Sequence, residues 1–425
     1  MEYYVRLADS ELKSRLKRAG GVLIRGPKGC GKTETARQCA KSEVLVDDSS
    51  AMEQLMSINA LLLLDGETPR LIDEWQEQKS LWNIVRHEID RRKQTAQFIL
   101  TGSANPEENA RLHSGFGRFS VMDMRPMSLF ESRLSSGSVS LAGLWHDAPL
   151  PKEQHDNKLL DIIDWIVVGG WPGHLHLSTD DALLAMRDNV ELVAQVDLSR
   201  VSSKRRDPLK VRQLLRSLAR NISTEARIET LRRDVGDTGR AHGTERANGA
   251  MAYETVTEYL DALQRIMVLE NLEAWSTHIR SSATLRKAEK CHFVDPSFAV
   301  AALGLDRDKL MHDIPYLGLL FESLVIRDLR IYAQANDARV YHYRDSSGKE
   351  VDAIVEKRDG TWAAFEIKLG FGAVEAAVRS LLAFADTIDT SKVPAPASLN
   401  VITGSGPVVR HSKGVHIIPI TALRE

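Results

Sequence analysis

Gly26-Pro27-Lys28-Gly29-Cys30-Gly31-Lys32-Thr33 fills every fixed position of a Walker A phosphate loop, and its flanks supply the context such a loop needs. Ahead of it, Gly21-Val22-Leu23-Ile24-Arg25 is a short apolar run that reads as a buried strand. Behind it, Glu34 to Lys41 contains no Pro or Gly and reads as a helix. Gly26, Gly29 and Gly31 let the backbone curl until its N–H groups converge on phosphate oxygens, with Pro27, Lys28 and Cys30 completing the loop. The helix N-terminus adds partial positive charge, Lys32 is placed to reach the β- and γ-phosphates, and the Thr33 hydroxyl can ligate Mg²⁺. The ligands this pattern implies are ATP and Mg²⁺.

At 425 residues the chain is long enough for more than one domain. Its composition, 43% hydrophobic and 27% charged, is that of a soluble globular protein. No apolar run approaches the roughly 20 residues of a membrane span. Met1-Glu2-Tyr3-Tyr4-Val5 lacks the charged and apolar regions of a secretory signal. Cys30, Cys39 and Cys291 are too few and too scattered for a disulfide framework or a zinc site. A cytoplasmic location with no membrane partner is the expectation. The net charge of -2 argues against a uniformly basic nucleic-acid coat while leaving local patches open.

Whether the nucleotide is hydrolysed depends on residues downstream of the loop. Pro69-Arg70-Leu71-Ile72-Asp73-Glu74-Trp75-Gln76 is an apolar run ending in two adjacent carboxylates, the Walker B pattern. Asp73 at the strand end is placed to hold Mg²⁺, and Glu74 to polarise the attacking water. Gln97-Phe98-Ile99-Leu100-Thr101-Gly102-Ser103 reads as another buried strand ending in small polar residues. Thr101 is the candidate sensor of the γ-phosphate, with Ser103 close behind. Between these strands, Trp82 to Arg92 has apolar residues at helical spacing and reads as a crossover helix. Alternating strands and helices imply a parallel sheet covered on both faces.

The sequence resembles a large prokaryotic family of AAA-type ATPases whose C-terminal domain, of unknown function, looks like the restriction-endonuclease fold. The shared residues are Gly29-Cys30-Gly31-Lys32-Thr33, Leu71-Ile72-Asp73-Glu74-Trp75-Gln76, Leu100-Thr101-Gly102-Ser103, Gly117-Arg118 and Gly169-Gly170-Trp171-Pro172. In such ATPases an arginine from a neighbouring subunit often completes the site, which implies a homo-oligomer. Arg118 is the candidate by position, with Arg111 and Arg125 as rivals.

Residues near 134 to 156, rich in Ser, Gly and Pro, read as a loop leaving the nucleotide domain. Leu159 to Val168 and Asp180 to Val196 then read as helices of a lid. From Pro208, three helices are expected at Pro208 to Arg220, Arg227 to Val235 and Tyr253 to Leu269. Two strand-like runs come next, Leu269 to Trp275 and Lys290 to Val294, around a tip with Arg280, Arg286 and Lys287. That order is the winged-helix plan. The family resemblance supports it through Thr255, Tyr259, Leu260, Leu263 and Phe293-Val294-Asp295. The insertion between roughly 236 and 250 reads as a mobile loop. Glu254, Glu258 and Asp261 make the proposed recognition helix acidic for a DNA reader, so DNA contact and a protein-facing role both stay open.

Near the C-terminus, Gly318 to Ile326 reads as a helix carrying Glu322. Strands are expected at Arg339 to Arg344, Glu350 to Glu356 and Trp362 to Leu369, then a helix from Ala373 to Ala385 and a strand from Leu399 to Thr403. Strand alternation puts Glu366 and Lys368 on one face, where Asp352 of the neighbouring strand can meet them. This looks like the PD-(D/E)xK nuclease arrangement: Glu322 matches the helical acid, Asp352 and Glu366 the metal-binding acids, and Lys368 the catalytic lysine. The resemblance implies Mg²⁺, or Mn²⁺, at this second site and cleavage of DNA. The alternative is a silent fold that binds nucleic acid or a protein partner. The expected α/β architecture is thus a P-loop AAA-type ATPase core (1–150), a helical lid (151–206), a winged-helix domain (207–304) and a nuclease-like domain (305–425).

Overall fold

The computed structural model describes residues 2–47, 49–102, 115–198, 207–237, 251–276, 288–345 and 348–425. Ser103, Arg111, the tip residues Arg280, Arg286 and Lys287, and 238–250 of the expected mobile loop lie outside the described residues.

The first sheet is parallel throughout, with strands β1 (Gly21–Arg25), β2 (Ser42–Leu45), β3 (Arg70–Asp73), β4 (Phe98–Gly102) and β5 (Phe119–Asp123) in the order β2-β3-β4-β1-β5. Its central strands are continuous apolar runs because both faces are covered, and every residue of β4 is buried. Register places Asp73 beside Thr101 and Ile24 beside Thr101. The strand ends carrying the phosphate loop, the Walker B acids and the sensor candidate therefore share one edge. Helix α1 (Leu7–Leu16) packs on this sheet, and α2 (Lys32–Arg37) grows out of the phosphate loop. The latter stops earlier than its composition suggests, because the Lys41 N–H is already paired with the Pro69 carbonyl, 2.8 Å away, at the entrance to β2. The expected crossover helix is α3 (Leu81–Arg92); its Trp82 stacks on Phe119 with centroids 4.4 Å apart.

The middle of the chain forms α4 (Leu159–Val168), α5 (Thr179–Leu192, continued by a π turn to Asp197), α6 (Pro208–Arg220), α7 (Ile228–Asp237), α8 (Tyr253–Arg265) and α9 (Ser297–Leu303). The apolar α9 packs against α4, α5 and α6, so the helices expected as a lid and those expected as a separate unit share one core. After α8 the two extended runs meet at two antiparallel bridges, Leu269–Phe293 and Leu272–Lys290, and do not develop into regular strands. A third bridge, Ala274–His342, fastens the first run to a second sheet.

That sheet contains β6 (Ala338–Arg344), β7 (Glu350–Lys357), β8 (Trp362–Lys368), β9 (Ser398–Thr403), β10 (Val409–Arg410) and β11 (His416–Pro419), in the order β10-β11-β9-β8-β7-β6. Helix α10 (Ile314–Ala335) precedes it and α11 (Val374–Ala385) connects β8 to its parallel neighbour β9. Strand alternation splits β8 cleanly: Ala363, Phe365 and Ile367 join the core containing α10, while Trp362 and Ala364 join that of α11.

The connection near 134–156 differs from the expected free loop. Val139–Ser140 pairs with Leu423–Arg424, and Gln154–His155 pairs with Gly406–Pro407. Ser135 Oγ in this segment donates to the carbonyls of Thr421 (2.9 Å) and Leu423 (2.7 Å). This segment lies against the end of the chain as well as leaving the first sheet.

Candidate nucleotide site and a C-terminal acid–lysine cluster

The phosphate loop turns sharply where its glycines demand it. Gly31, at φ 100, is the residue on which α2 starts, a conformation a Cβ would strain. Lys32 is buried, and its ammonium donates to the carbonyls of Gly26 and Pro27, both at 2.9 Å. The Thr33 hydroxyl donates to Asp73 at 3.0 and 3.2 Å, and the Thr101 hydroxyl donates to the same carboxylate. Two of the expected residues thus converge on a third, Asp73. Glu74 comes next with φ 54, in the left-handed region, and Gln76 donates to its carboxylate. Hydroxyl and carboxylate oxygens suit a hard cation, so Thr33 and Asp73 fit Mg²⁺; bound there, the ion would neutralise phosphate charge.

Several supports were not legible in sequence. Arg6 staples the loop from behind, donating to the Cys30 carbonyl (2.9 Å), the Arg125 carbonyl (2.8 Å) and Glu131 (3.1 Å). Lys28 pairs with Asp197 at 2.6 Å. Trp171 and Pro172 flank the loop glycines Gly29 and Gly31. Their segment is held from the far side by a buried network: Asp295 accepts from the Gly170 N–H (2.9 Å) and Arg327 (2.8 Å), and Ser297 accepts from the Trp171 indole (3.0 Å). Gly170 has to be glycine, since a Cβ would collide with the Met127 backbone.

The arginine candidates separate. The Arg118 carbonyl pairs with the Gly21 N–H, at the start of β1, whereas the phosphate loop leaves its end. Five residues of strand, about 16 Å, lie between. The Arg118 side chain is paired with Asp90 at 2.8 Å, so in its own chain it does not complete the site. Arg125 is held by Glu270 (2.6 Å) and Gln334 (2.6 Å) across the contact with α10 and is not free to act as a finger.

At the C-terminus the structure brings together Glu322 from α10, Asp352 from β7, and Glu366 and Lys368 from β8. Lys368 Nζ lies 3.0 Å from Asp352 and 2.6 Å from Glu366. Asp352 also accepts from the Ile367 N–H at 2.8 Å, which fixes it across the sheet. Sequence reasoning missed two members. Glu350 is two residues before Asp352, so alternation could have found it. Lys290 comes from the run after α8 and carried no such signal; its ammonium lies 2.9 Å from Glu322, 2.8 Å from Glu350 and 3.8 Å from Asp352.

Burial first, and then Asp352, pushes Glu322 up to about 8 against the pull of Lys290. Glu366 is pushed up to about 7 by burial and Asp352, opposed by Lys368. Burial alone would raise Asp352 too, but Lys368 and Lys290 outweigh it and hold this carboxyl below its ordinary range. In this structure each of the expected metal ligands Glu322, Asp352 and Glu366 lies beside a lysine. Among the described residues no group of three or more His, Cys, Asp or Glu side chains is arranged to hold a metal ion. As arranged, this donor set does not fit a divalent cation.

Comparison with known proteins agrees with the geometry of the first sheet. A family model for an AAA domain matches residues 19–132, and domains of unknown function match 159–309 (DUF8612) and 317–423 (DUF4143). The first of these, on the converging phosphate loop and Walker B residues, defines the class: the N-terminal part is a P-loop ATPase core of AAA type, expected to use nucleotide and Mg²⁺. The chain is 26% identical over 374 residues to uncharacterized proteins of Mycobacterium tuberculosis (Rv2008c) and Mycobacterium bovis (Mb2031c), covering 85% of this chain and 73% of each relative. Similar solved structures include the Walker-type ATPase PABY2304 of Pyrococcus abyssi (13% identity, TM-score 0.42, 71% of this chain and 96% of that one). Another is the Aeropyrum pernix Orc1 protein in complex with DNA (12% identity, TM-score 0.27, 74% and 94%). No helix among the described residues is long and apolar enough to cross a membrane.

Proposed function

We propose that this chain is an ATP-hydrolysing AAA-type ATPase whose downstream units act on DNA. The observation that carries the hydrolytic part is the convergence of Thr33 and Thr101 on Asp73, with Glu74 beside it and Lys32 at the loop. Lys32 and the loop N–H groups bind the phosphates, Thr33 and Asp73 hold Mg²⁺, Glu74 orients and deprotonates water, and Thr101 keeps Asp73 aimed. Arg118 acts in a neighbouring copy's site, and the active species is a homo-oligomer. DNA contact is assigned to the three helices α6–α8 and the paired runs after them, read as a winged helix. Residues 305–425 are read as a nuclease-like fold from the order helix, three strands, helix, strand. Purified protein should hydrolyse ATP, and duplex DNA should stimulate it; no stimulation and no nucleotide-dependent DNA affinity would remove the DNA part.

A second reading, a nucleotide-gated module with a silent nuclease-like fold, is favoured by one observation: the additional Lys290 already occupies Glu322 and Glu350 and approaches Asp352. Incubation with plasmid and Mg²⁺ or Mn²⁺, beside a Glu366→Ala/Lys368→Ala control, separates the two. Cleavage lost in the control supports the nuclease, and absence of cleavage supports the module.

A further inference from the structure

We propose that Lys290 is the resident cation of the C-terminal cluster, its ammonium standing in the seat that a divalent metal would need, so that the wild-type chain takes up no Mg²⁺ or Mn²⁺ there. The choice of metal as the competitor rests on the nuclease-like reading; the placement of the ammonium does not.

Lys290 is almost wholly enclosed, with 4% of its side chain exposed, and it reaches three carboxylates on two elements: Glu322 on α10, and Glu350 and Asp352 on β7. An ammonium satisfied by oxygens at 2.8 and 2.9 Å has the spacing of hydrogen bonds. Mg²⁺ would draw its oxygens in to about 2.0–2.1 Å and ask for six of them, so ion and ammonium exclude each other. The lysine is not on a loose arm. Its backbone is bonded both ways to Leu272, at 2.8 and 3.0 Å, and the next residue, Cys291, donates to the Thr224 carbonyl at 2.8 Å. Ala288, two residues earlier, is tied to His342 of β6 at 3.1 Å. The cation is thus delivered by the helical unit into the second sheet.

Charge balance points the same way. Glu322, Glu350, Asp352 and Glu366 set four carboxyl groups against the two ammoniums of Lys290 and Lys368. Burial together with this crowding is what holds Glu322 and Glu366 above the ordinary carboxylate range. Without Lys290, three carboxyl groups (Glu322, Glu350 and Asp352) converge on one unfilled cationic position. Buried carboxylates without a partner are costly, and a divalent ion is the small cation best able to neutralise several at once.

The test is Mn²⁺ binding to the full nucleotide-free chain, followed by electron paramagnetic resonance of free Mn²⁺ and by the thermal midpoint. Any weak binding at Thr33 and Asp73 is common to all variants. Wild type and Asp352→Asn should give the same isotherm. Lys290→Met should melt below wild type in chelator, bind one Mn²⁺ more than wild type does, and regain its midpoint as Mn²⁺ is added. The added site should vanish in Lys290→Met/Asp352→Asn. An Asp352-dependent Mn²⁺ in wild type overturns the proposal, as does a folded Lys290→Met chain that gains no ion. If Lys290→Met does not fold, Lys290→Gln, which keeps a donor for Glu322 or Glu350, is read by the same criteria. DNA cleavage is scored separately: it tests the nuclease-like reading, whereas Mn²⁺ stoichiometry tests Lys290.

Discussion

Replacing Arg327 by methionine should destabilise the whole chain and loosen the nucleotide site together. Arg327 sits on α10 with 2% of its side chain exposed, bonded to Asp295 at 2.8 Å and Asp328 at 2.9 Å. Both acids are in turn anchored elsewhere. Asp295 accepts from Gly170, at the turn that carries Trp171 to the phosphate loop, and Asp328 accepts from Leu129 N–H at 3.0 Å beyond the end of β5. Methionine preserves most of the volume but leaves two buried carboxylates without their cation. Removing one partner of a buried pair costs about 3–5 kcal/mol. Asp295 keeps three other donors (Gly170 N–H, Ser297 N–H and Ser297 Oγ–H), which pulls the figure to the lower end, about 3 kcal/mol. Urea denaturation, followed by tryptophan fluorescence and circular dichroism, gives the stability; titration with a fluorescent ATP analogue gives the affinity. The triple variant Arg327→Met/Asp295→Asn/Asp328→Asn should recover part of the loss, because it leaves no unpaired charge. A single variant within about 1 kcal/mol of wild type, with unchanged ATP affinity, would refute the idea that this network holds Gly169–Pro172 against the loop.

Three further outcomes are expected from the geometry. Glu270, held down to about 2 because Arg125 and Arg330 outweigh the burial that would raise it, contributes stability that is complete above its unfolded value near 4.5. That contribution disappears as pH falls through about 2, so Glu270→Gln should cost about 2 kcal/mol at pH 7 and flatten the acid limb of the thermal midpoint between those values. Thr101→Val, isosteric at a fully buried position, removes one donor from Asp73; kcat for ATP should drop about tenfold, about 1.4 kcal/mol, with ATP binding retained. Arg118→Ala should leave ATP affinity unchanged while lowering turnover only where copies assemble, so mixing it with Glu74→Gln protein and assaying turnover against concentration reports whether the residue works between chains.

The nucleotide site was readable because its chemistry is local: eight consecutive residues make the loop, and Asp73 and Thr101 sit at the ends of runs that could only be buried strands. The C-terminal strands were readable for the same reason, since the turns at Gly348 and Gly360 bracket alternating segments. What sequence could not supply was partnership over long separations. Arg6 reaches Cys30, Arg327 reaches Asp295, and Lys290 reaches Glu322; each is an ordinary charged residue until the fold buries it. The tie between Val139–Ser140 and Leu423–Arg424 is equally silent, because two residues of strand carry no period. The lid and the three-helix unit looked separable from composition, yet the apolar α9 joins them, and its placement depends on a core formed by both.

ATP turnover and ATP binding, compared in wild type, Glu74→Gln and Lys32→Ala, decide whether the first sheet carries a working ATPase. Wild type should hydrolyse ATP steadily, and Glu74→Gln should bind it near-normally with turnover reduced at least about a hundredfold. In Lys32→Ala, binding itself should be lost. Hydrolysis by Glu74→Gln at the wild-type rate, or ATP binding that survives Lys32→Ala, would contradict these roles.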